Sequence, residues 1–256
     1  MPEGPEVRIT ADQLQVLTGQ ELLNTTFNQA KGSGFNLLTY PRTIDYVYSW
    51  GKKIIFESRG LYIITSSIMT GRYTFSESQY TRICFEFQDF NLYFDDKRKM
   101  GFIDVVNNLD LDVGPDLLDH ALNEWISTEE WNNIFKKKLL KRKIVDILLD
   151  QKIIAGIGFY LVTDILYYSG IHPFRIGNTI TDEELELLRV KSHEVIALSY
   201  SYGGLTIEDF ISPNKERGEY PTAIYMRSKD DLGYDVLRAE YTGKRKIWYV
   251  AEVQVL

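Results

Sequence analysis

The apolar residues of this chain change period near Asn107, and no other feature restricts its fold as strongly. Before that point Tyr, Ile, Phe and Val alternate with polar residues, the spacing of strands that bury one face. Thr43 to Ser49, Lys53 to Glu57, Tyr62 to Ser66, Thr81 to Gln88, Asn91 to Asp95 and Gly101 to Val106 read as strands with short polar or glycine-bearing joins. Such a series predicts a β-sandwich. Ahead of it, Val7, Ala11, Leu14 and Leu17 recur at helical spacing and Gly19 ends the run, so a helix over Glu3 to Leu17 flanks the sandwich. The segment Asn107 to Asp116 reads as an interdomain link. Beyond it the period is helical, with Trp125, Trp131, Ile134 and Phe135 spaced for one buried face. Ile144, Ile147 and Leu148 precede the tight Ala155-Gly156-Ile157-Gly158, after which helices are expected over Phe159 to Tyr168 and Asp182 to Tyr200. From Ala223 to Leu256 the composition returns to that of strands, with Thr242-Gly243-Lys244-Arg245 as a hairpin turn. The expectation is an α+β chain: a β-sandwich over 1–112, a helical domain over 113–222 and a β-hairpin over 223–256.

At 256 residues the chain is long enough for two modest cores. It has no eighteen-residue apolar run and no basic-then-apolar leader, so neither membrane insertion nor secretion is expected. The single cysteine, Cys84, excludes an internal disulfide and a multi-cysteine zinc site; it lies in the alternation Arg82 to Phe87, where it fills a strand face. A net charge of −7 does not advertise nucleic-acid binding, which depends on cations meeting phosphate. The charge is uneven, however. Seven acidic residues and no Lys or Arg lie between Asp110 and Glu130, followed by the basic run Lys136 to Lys143. A solvated helix face explains that run, and it also permits a local basic surface on an acidic protein.

Two short features carry potential chemistry. Removal of Met1 would expose Pro2 as a secondary amine, able to attack an aldehyde-level carbon and form a charged imine, with Glu3 beside it to move protons. The same residues also make a good helix start, with proline at the first helical position and acids in the first turn. The turn Gly156-Ile157-Gly158 can present bare backbone N–H groups to a phosphate, or it can serve packing between two helices alone.

The order of several blocks resembles a known family. Pro2-Glu3-Gly4-Pro5-Glu6-Val7, Gly51-Lys52, Met69-Thr70-Gly71, Asp96 to Gly101, Val113 to Asp116, Leu148 to Gly158 and Ser169 to Pro173 occur as in the formamidopyrimidine-DNA glycosylase/endonuclease VIII family. The Glu-Gly-Pro start is closer to the endonuclease VIII branch. The resemblance implies a β-sandwich followed by a helix–two-turn–helix domain. It also implies that Pro2 attacks C1′ of a damaged nucleotide, that Glu3 protonates the sugar oxygen, that Glu6 lies at the edge of the site and that Lys52 grips a phosphate. Met69, Arg98 and Met100 match positions that fill the gap left by an extruded base, although an aromatic residue is common where Met100 stands. Core filling is the plainer role for both methionines.

The tail departs from many relatives, which carry a four-cysteine zinc finger there. The run Gly243 to Tyr249 instead resembles a zincless finger, which makes Arg245 the phosphate-binding arginine and leaves no metal or other cofactor expected. After Gly158 the family usually places asparagine; Phe159 cannot donate that hydrogen bond, and would pack under the hairpin instead. Asp164 stands for a longer glutamate and Ser66 for a frequent histidine. The resemblance implies a monomeric DNA glycosylase with AP-lyase activity, removing oxidised bases, pyrimidines foremost, from damaged double-stranded DNA, with single-stranded DNA as a further substrate. Ile211 to Tyr220 would lie over the flipped base. The expected location is intracellular, the nucleus if the source is eukaryotic. A non-catalytic binder of DNA or abasic sites is the alternative, and an imine-forming enzyme on small aldehydes would explain Pro2 but not the phosphate-binding residues.

Overall fold

The structure, a computed structural model, describes residues 1–67, 69–136, 141–206, 212–243 and 245–256. Parts of three expected features therefore lie outside the described residues: Lys137 to Leu140 of the basic run, Ile211, and Lys244 of the hairpin turn. The chain divides into two compact units, 1–112 with 202–219 and 113–201 with 220–256. Residues 202–219 thus group with the strands and not with the helical segment expected over 113–222. The cause is hydrogen bonding to the first helix: Gln13 Nε2 donates to Glu216 at 2.8 Å and Asn214 N–H donates to Gln13 at 3.1 Å.

The first unit opens with α1 (Gly4–Gln13), extended by a 3₁₀ turn over Leu14–Leu17. Its strands are β1 (Glu21–Phe27), β2 (Lys31–Ser33), β3 (Arg42–Thr43), β4 (Tyr46–Trp50), β5 (Lys53–Ser58), β6 (Leu61–Ser66), β7 (Gly71–Thr74), β8 (Thr81–Phe87), β9 (Asn91–Asp96) and β10 (Phe102–Val106). They form two five-stranded sheets, ordered β3-β1-β8-β9-β7 and β2-β10-β6-β5-β4. The strand expected over Thr43 to Ser49 is two strands, because Asp45 N–H turns to the Glu57 carbonyl at 2.8 Å between them. Three strands lie outside the alternating runs read from the sequence. β1 has a bulge between Leu22 and Asn24, β2 is Lys-Gly-Ser, and β7 is only four residues long.

Alternation along β8 sends Thr81, Ile83, Phe85 and Phe87 inward. The three apolar members meet Val7, Ala11, Leu14 and Leu17 in one core, so the helical spacing seen in the sequence is the face that α1 and its 3₁₀ extension bury. Each such aliphatic or aromatic side chain contributes roughly 1.5–3 kcal/mol on burial. Phe56 of one sheet lies 5.7 Å from both Phe85 and Tyr73 of the other, packing the sheets ring against ring.

The second unit holds α2 (Leu117–Leu122), α3 (Thr128–Lys136), α4 (Ile144–Leu148), α5 (Phe159–Tyr168) and α6 (Asp182–Ser201). Asp116 caps α2, accepting Leu118 N–H at 2.9 Å and Asp119 N–H at 3.3 Å. Val113 to Asp116 is therefore not a loose link; Gly114 N–H is held by the Gln151 carbonyl at 2.8 Å. Trp131 is fully buried and donates to the Leu185 carbonyl at 3.1 Å. Trp125, expected on the same buried face, instead precedes α3, is 41% exposed and stacks on His193 at 4.9 Å.

Among the described residues, strand composition after Ala223 yields only β11 (Leu237–Glu240) and β12 (Lys246–Tyr249), paired antiparallel. The rest is held by turns. Asp230 accepts Leu232 N–H at 3.0 Å, Tyr234 N–H at 2.8 Å and the Tyr167 hydroxyl at 3.0 Å. Ala223, Ile224, Val236 and Val250 form a small core beneath the hairpin, with Trp248 against Tyr225 at 4.7 Å.

Candidate active site and nucleic-acid interface

Glu3, not Pro2, starts α1. Its backbone is extended, at φ −109° and ψ −175°, and it occupies the N-cap, with Pro5 in the first turn and Glu6 at the third helical position. Glu6 Oε2 accepts Glu3 N–H at 2.7 Å, the returning arm of a capping box. Helix initiation is thus accounted for without Pro2, which lies ahead of the cap. Pro2 is buried and lines a small cavity with Val7, Thr10, Ile54, Ser67, Gly71 and Tyr73.

Glu6 is fully buried and its other oxygen, Oε1, accepts Leu205 N–H at 2.6 Å. The turn delivering that N–H requires glycine. Gly204 has φ +82°, and a Cβ there would stand 2.5 Å from Glu6 Oε1. Lys52 sits half-buried in the two-residue turn between β4 and β5, where Gly51 takes φ +57° and Trp50 pairs with Lys53.

Met69 and Arg98 come together: Arg98 Nη1 lies 3.7 Å from Met69 Sδ. Asp96, buried at the end of β9, organises both of their turns. Its Oδ1 accepts the Thr70 hydroxyl at 2.5 Å and Arg98 N–H at 3.1 Å, while Oδ2 accepts Gly101 N–H at 2.7 Å. Arg98 is exposed and Met100 is 40% exposed between two anchored neighbours, so the core-filling role does not hold for Met100. Met69 is half-buried. Asp96 stands within the resembling block Asp96 to Gly101, but nothing in the sequence distinguishes it from a surface acid.

In the second unit, Gly158 is buried and caps α5, with φ −132° and ψ −157°. Gln151 ties the preceding turn, donating to the Ile157 carbonyl at 2.9 Å and accepting Gly156 N–H at 3.1 Å. Phe159, the first residue of α5, packs under the hairpin as expected. The Arg245 guanidinium lies over its ring at 5.2 Å, and the Tyr241 ring meets it edge-on at 5.8 Å. Tyr241 in turn donates its hydroxyl to Asp146 of α4 at 2.6 Å; burial foremost, and then that bond, push its phenol well above the usual range. No periodicity flags Tyr241 or Asp146.

Asp164 of α5 is fully buried in the same unit. Oδ2 accepts the Tyr220 hydroxyl at 3.1 Å and Ala223 N–H at 2.9 Å, and Oδ1 accepts Ile224 N–H at 3.1 Å and Tyr225 N–H at 3.3 Å. Burial raises its carboxyl, against the pull of those donors. Among the described residues no group of three or more His, Cys, Asp or Glu side chains is placed to hold a metal ion, and no helix is long and apolar enough to cross a membrane.

Residues 1–103 match the model of the formamidopyrimidine-DNA glycosylase N-terminal domain, and residues 114–210 that of the formamidopyrimidine-DNA glycosylase H2TH domain. Formamidopyrimidine-DNA glycosylase of Erythrobacter litoralis is 28% identical over 99% of this chain and 100% of its own length. The enzyme of the same name from Rickettsia felis is 25% identical over 95% of each. The crystal structure of the MutM (Fpg) protein of Thermus thermophilus superposes with a TM-score of 0.89 at 26% identity, covering 99% of this chain and 98% of that one. The Lactococcus lactis Fpg, in complex with DNA containing an abasic site, shares the fold at a TM-score of 0.86 and 22% identity, over 98% and 99% of the chains.

Proposed function

Because this chain belongs to the formamidopyrimidine-DNA glycosylase/endonuclease VIII family, we propose that it is a DNA glycosylase and AP lyase that excises oxidised bases from damaged double-stranded DNA with Pro2 as nucleophile. The observation that carries the mechanism is the position of Pro2: buried at a cavity, ahead of a helix whose start is made by Glu3, Pro5 and Glu6. After Met1 is removed, the ring nitrogen attacks C1′ of the lesion nucleotide and the base leaves with a proton. Glu3 protonates the sugar oxygen as the ring opens, giving an iminium between Pro2 and C1′. Loss of a C2′ proton then expels the 3′ phosphate by β-elimination, and a second elimination expels the 5′ phosphate.

Lys52 and Arg245 bind the flanking phosphates, with the planar guanidinium suited to two oxygens at once. Met69, Arg98 and Met100 fill the vacated stack, the methionines by apolar contact and Arg98 by hydrogen bonding the orphaned base. The exposure of Arg98 and Met100 on a turn anchored by Asp96 supports this role. Oxidised pyrimidines are the preferred lesions in this reading, on the strength of the Glu3-Gly4-Pro5 start.

Borohydride reduction of the iminium tests the proposal. Protein shown by mass spectrometry to lack Met1 should be trapped covalently on duplexes with an abasic site or an oxidised pyrimidine. Binding without any adduct would instead establish a non-catalytic binder of abasic DNA. A panel with oxidised pyrimidines, 8-oxoguanine and ring-opened purines decides the lesion class.

A further inference from the structure

Arg245 is exposed, one residue ahead of β12, and a long flexible side chain there loses rotamer freedom when it grips a phosphate. In this chain three residues from three parts of the fold reduce that freedom in advance. Asp146 on α4 accepts the Tyr241 hydroxyl at 2.6 Å. The Tyr241 ring stands edge-on to Phe159 at 5.8 Å, which fixes the plane of the Phe159 ring. The face of that ring carries the Arg245 guanidinium at 5.2 Å, within the range of a cation–π attraction. Phe159 is itself rooted at the start of α5, immediately after the Gly158 cap. The backbone closes the same arrangement, since Tyr241 N–H donates to the Arg245 carbonyl at 3.0 Å and Arg245 N–H to the Thr242 carbonyl at 3.1 Å.

We propose that Phe159 is a positioning residue, a ring platform braced by Tyr241 and Asp146 that holds the Arg245 guanidinium pre-oriented for a DNA phosphate. The proposal rests on the phosphate-binding role given to Arg245 above. A contact with the ring face uses none of the guanidinium N–H groups, which stay available to two phosphate oxygens. The aromatic ring needs no hydrogen bond of its own to the DNA. It acts by lowering the ordering cost that Arg245 would otherwise meet on binding.

The test uses the full chain and a duplex carrying a tetrahydrofuran abasic analogue. Phe159→Leu should weaken binding by about two- to fivefold, the range of an exposed cation–π contact. Phe159→Tyr, which keeps the ring, should restore it. In an Arg245→Ala background Phe159→Leu should add no further loss. An equal loss in both backgrounds, or none in the parent, would overturn the proposal. Nuclear magnetic resonance of the DNA-free protein gives a reading independent of activity. The Arg245 δ-methylene protons should be shifted upfield by the ring, and should return to ordinary positions in Phe159→Leu but not in Phe159→Tyr. Unshifted protons in the parent chain would overturn the platform even if Arg245→Ala impairs binding. Shifted protons with unimpaired Arg245→Ala binding would instead overturn the phosphate role, and the proposal with it. Borohydride trapping at Pro2 is scored separately, so loss of the platform and loss of the glycosylase reading leave different results.

Discussion

Glu6 and Leu205, 199 residues apart in sequence, are joined by a hydrogen bond of 2.6 Å from the Leu205 backbone to the Glu6 carboxyl. The other Glu6 oxygen holds Glu3 N–H at 2.7 Å, so one buried side chain fixes both the residue next to Pro2 and a turn contributed by the far end of the unit. Glu6→Gln presents an amide N–H to one of two backbone N–H groups. It should destabilise the protein by about 1–3 kcal/mol and slow adduct formation even where the protein remains folded. Calorimetry and single-turnover trapping check the two effects, and parental melting and trapping in the Glu6→Gln protein would dissociate Glu6 from the site.

Pro2 tolerates no extension if its nitrogen is the nucleophile. One extra residue ahead of it converts the amine to an amide, and Pro2→Gly removes the secondary amine that gives a permanently charged imine. Both changes should cut trapping by at least about a thousandfold while duplex affinity stays within a few-fold of the parent. Adduct that survives both changes would remove Pro2 from the mechanism.

The Asp96 carboxyl serves the two turns that carry Met69 and Arg98. Asp96→Asn should leave one of the three donors facing an N–H, at a cost of about 1–3 kcal/mol. Amide exchange should rise at Arg98 and Gly101 without a general rise in the sheets. Discrimination among bases opposite the lesion should weaken, measured as the spread of single-turnover rates across the four opposing bases. A spread equal to that of the parent would deny the turns any part in reading the partner strand.

Acid should weaken the second unit through His193. This buried ring receives Ile126 N–H on Nε2 at 3.2 Å and contacts the Arg189 carbonyl through Nδ1 at 2.8 Å, which suits the neutral form. Burial foremost, with Arg189 and His120 nearby, lowers it from its ordinary value of 6.5, while the Arg189 carbonyl and Glu186 oppose that shift. The unfolded chain therefore takes up the proton first as pH falls. The stability contribution is complete above about pH 6.5 and is lost progressively below it, toward the lowered value of the folded state. Melting temperatures between about pH 7 and 5 should fall more steeply for the parent than for His193→Gln, and parallel curves would show that another group governs the slope.

Much of the fold was legible because burial is periodic. Val7, Ala11, Leu14 and Leu17 were spaced as they are packed, and α5 runs from Phe159 to Tyr168 as its apolar pattern implied. The strands that went unseen are a bulged β1 and an all-exposed β2, whose residues do not alternate, and β7, which alternates over only four residues. Trp125 misled because an aromatic ring half open to solvent, stacked on His193, has the same spacing as a buried one. In the candidate site, charged and small residues in ordered blocks pointed to Pro2, Lys52 and Arg98, whereas Tyr241 and Asp164 act through contacts with residues distant in sequence, and Asp96 joins its own turn to the distant Thr70, which no local pattern encodes.

The hairpin beyond Tyr220 is closed by aromatic contacts and by the acceptor cluster of Asp230, and its sequence contains no cysteine. A finger tied by metal-bound thiolates is exposed to the oxidants that damage bases, since thiolate sulfur is what peroxide attacks first. Here that vulnerability is absent by construction, and the one cysteine, Cys84, is held toward the unreactive thiol by its half-buried place on β8. Peroxide can thus reach this chain without dismantling its hairpin.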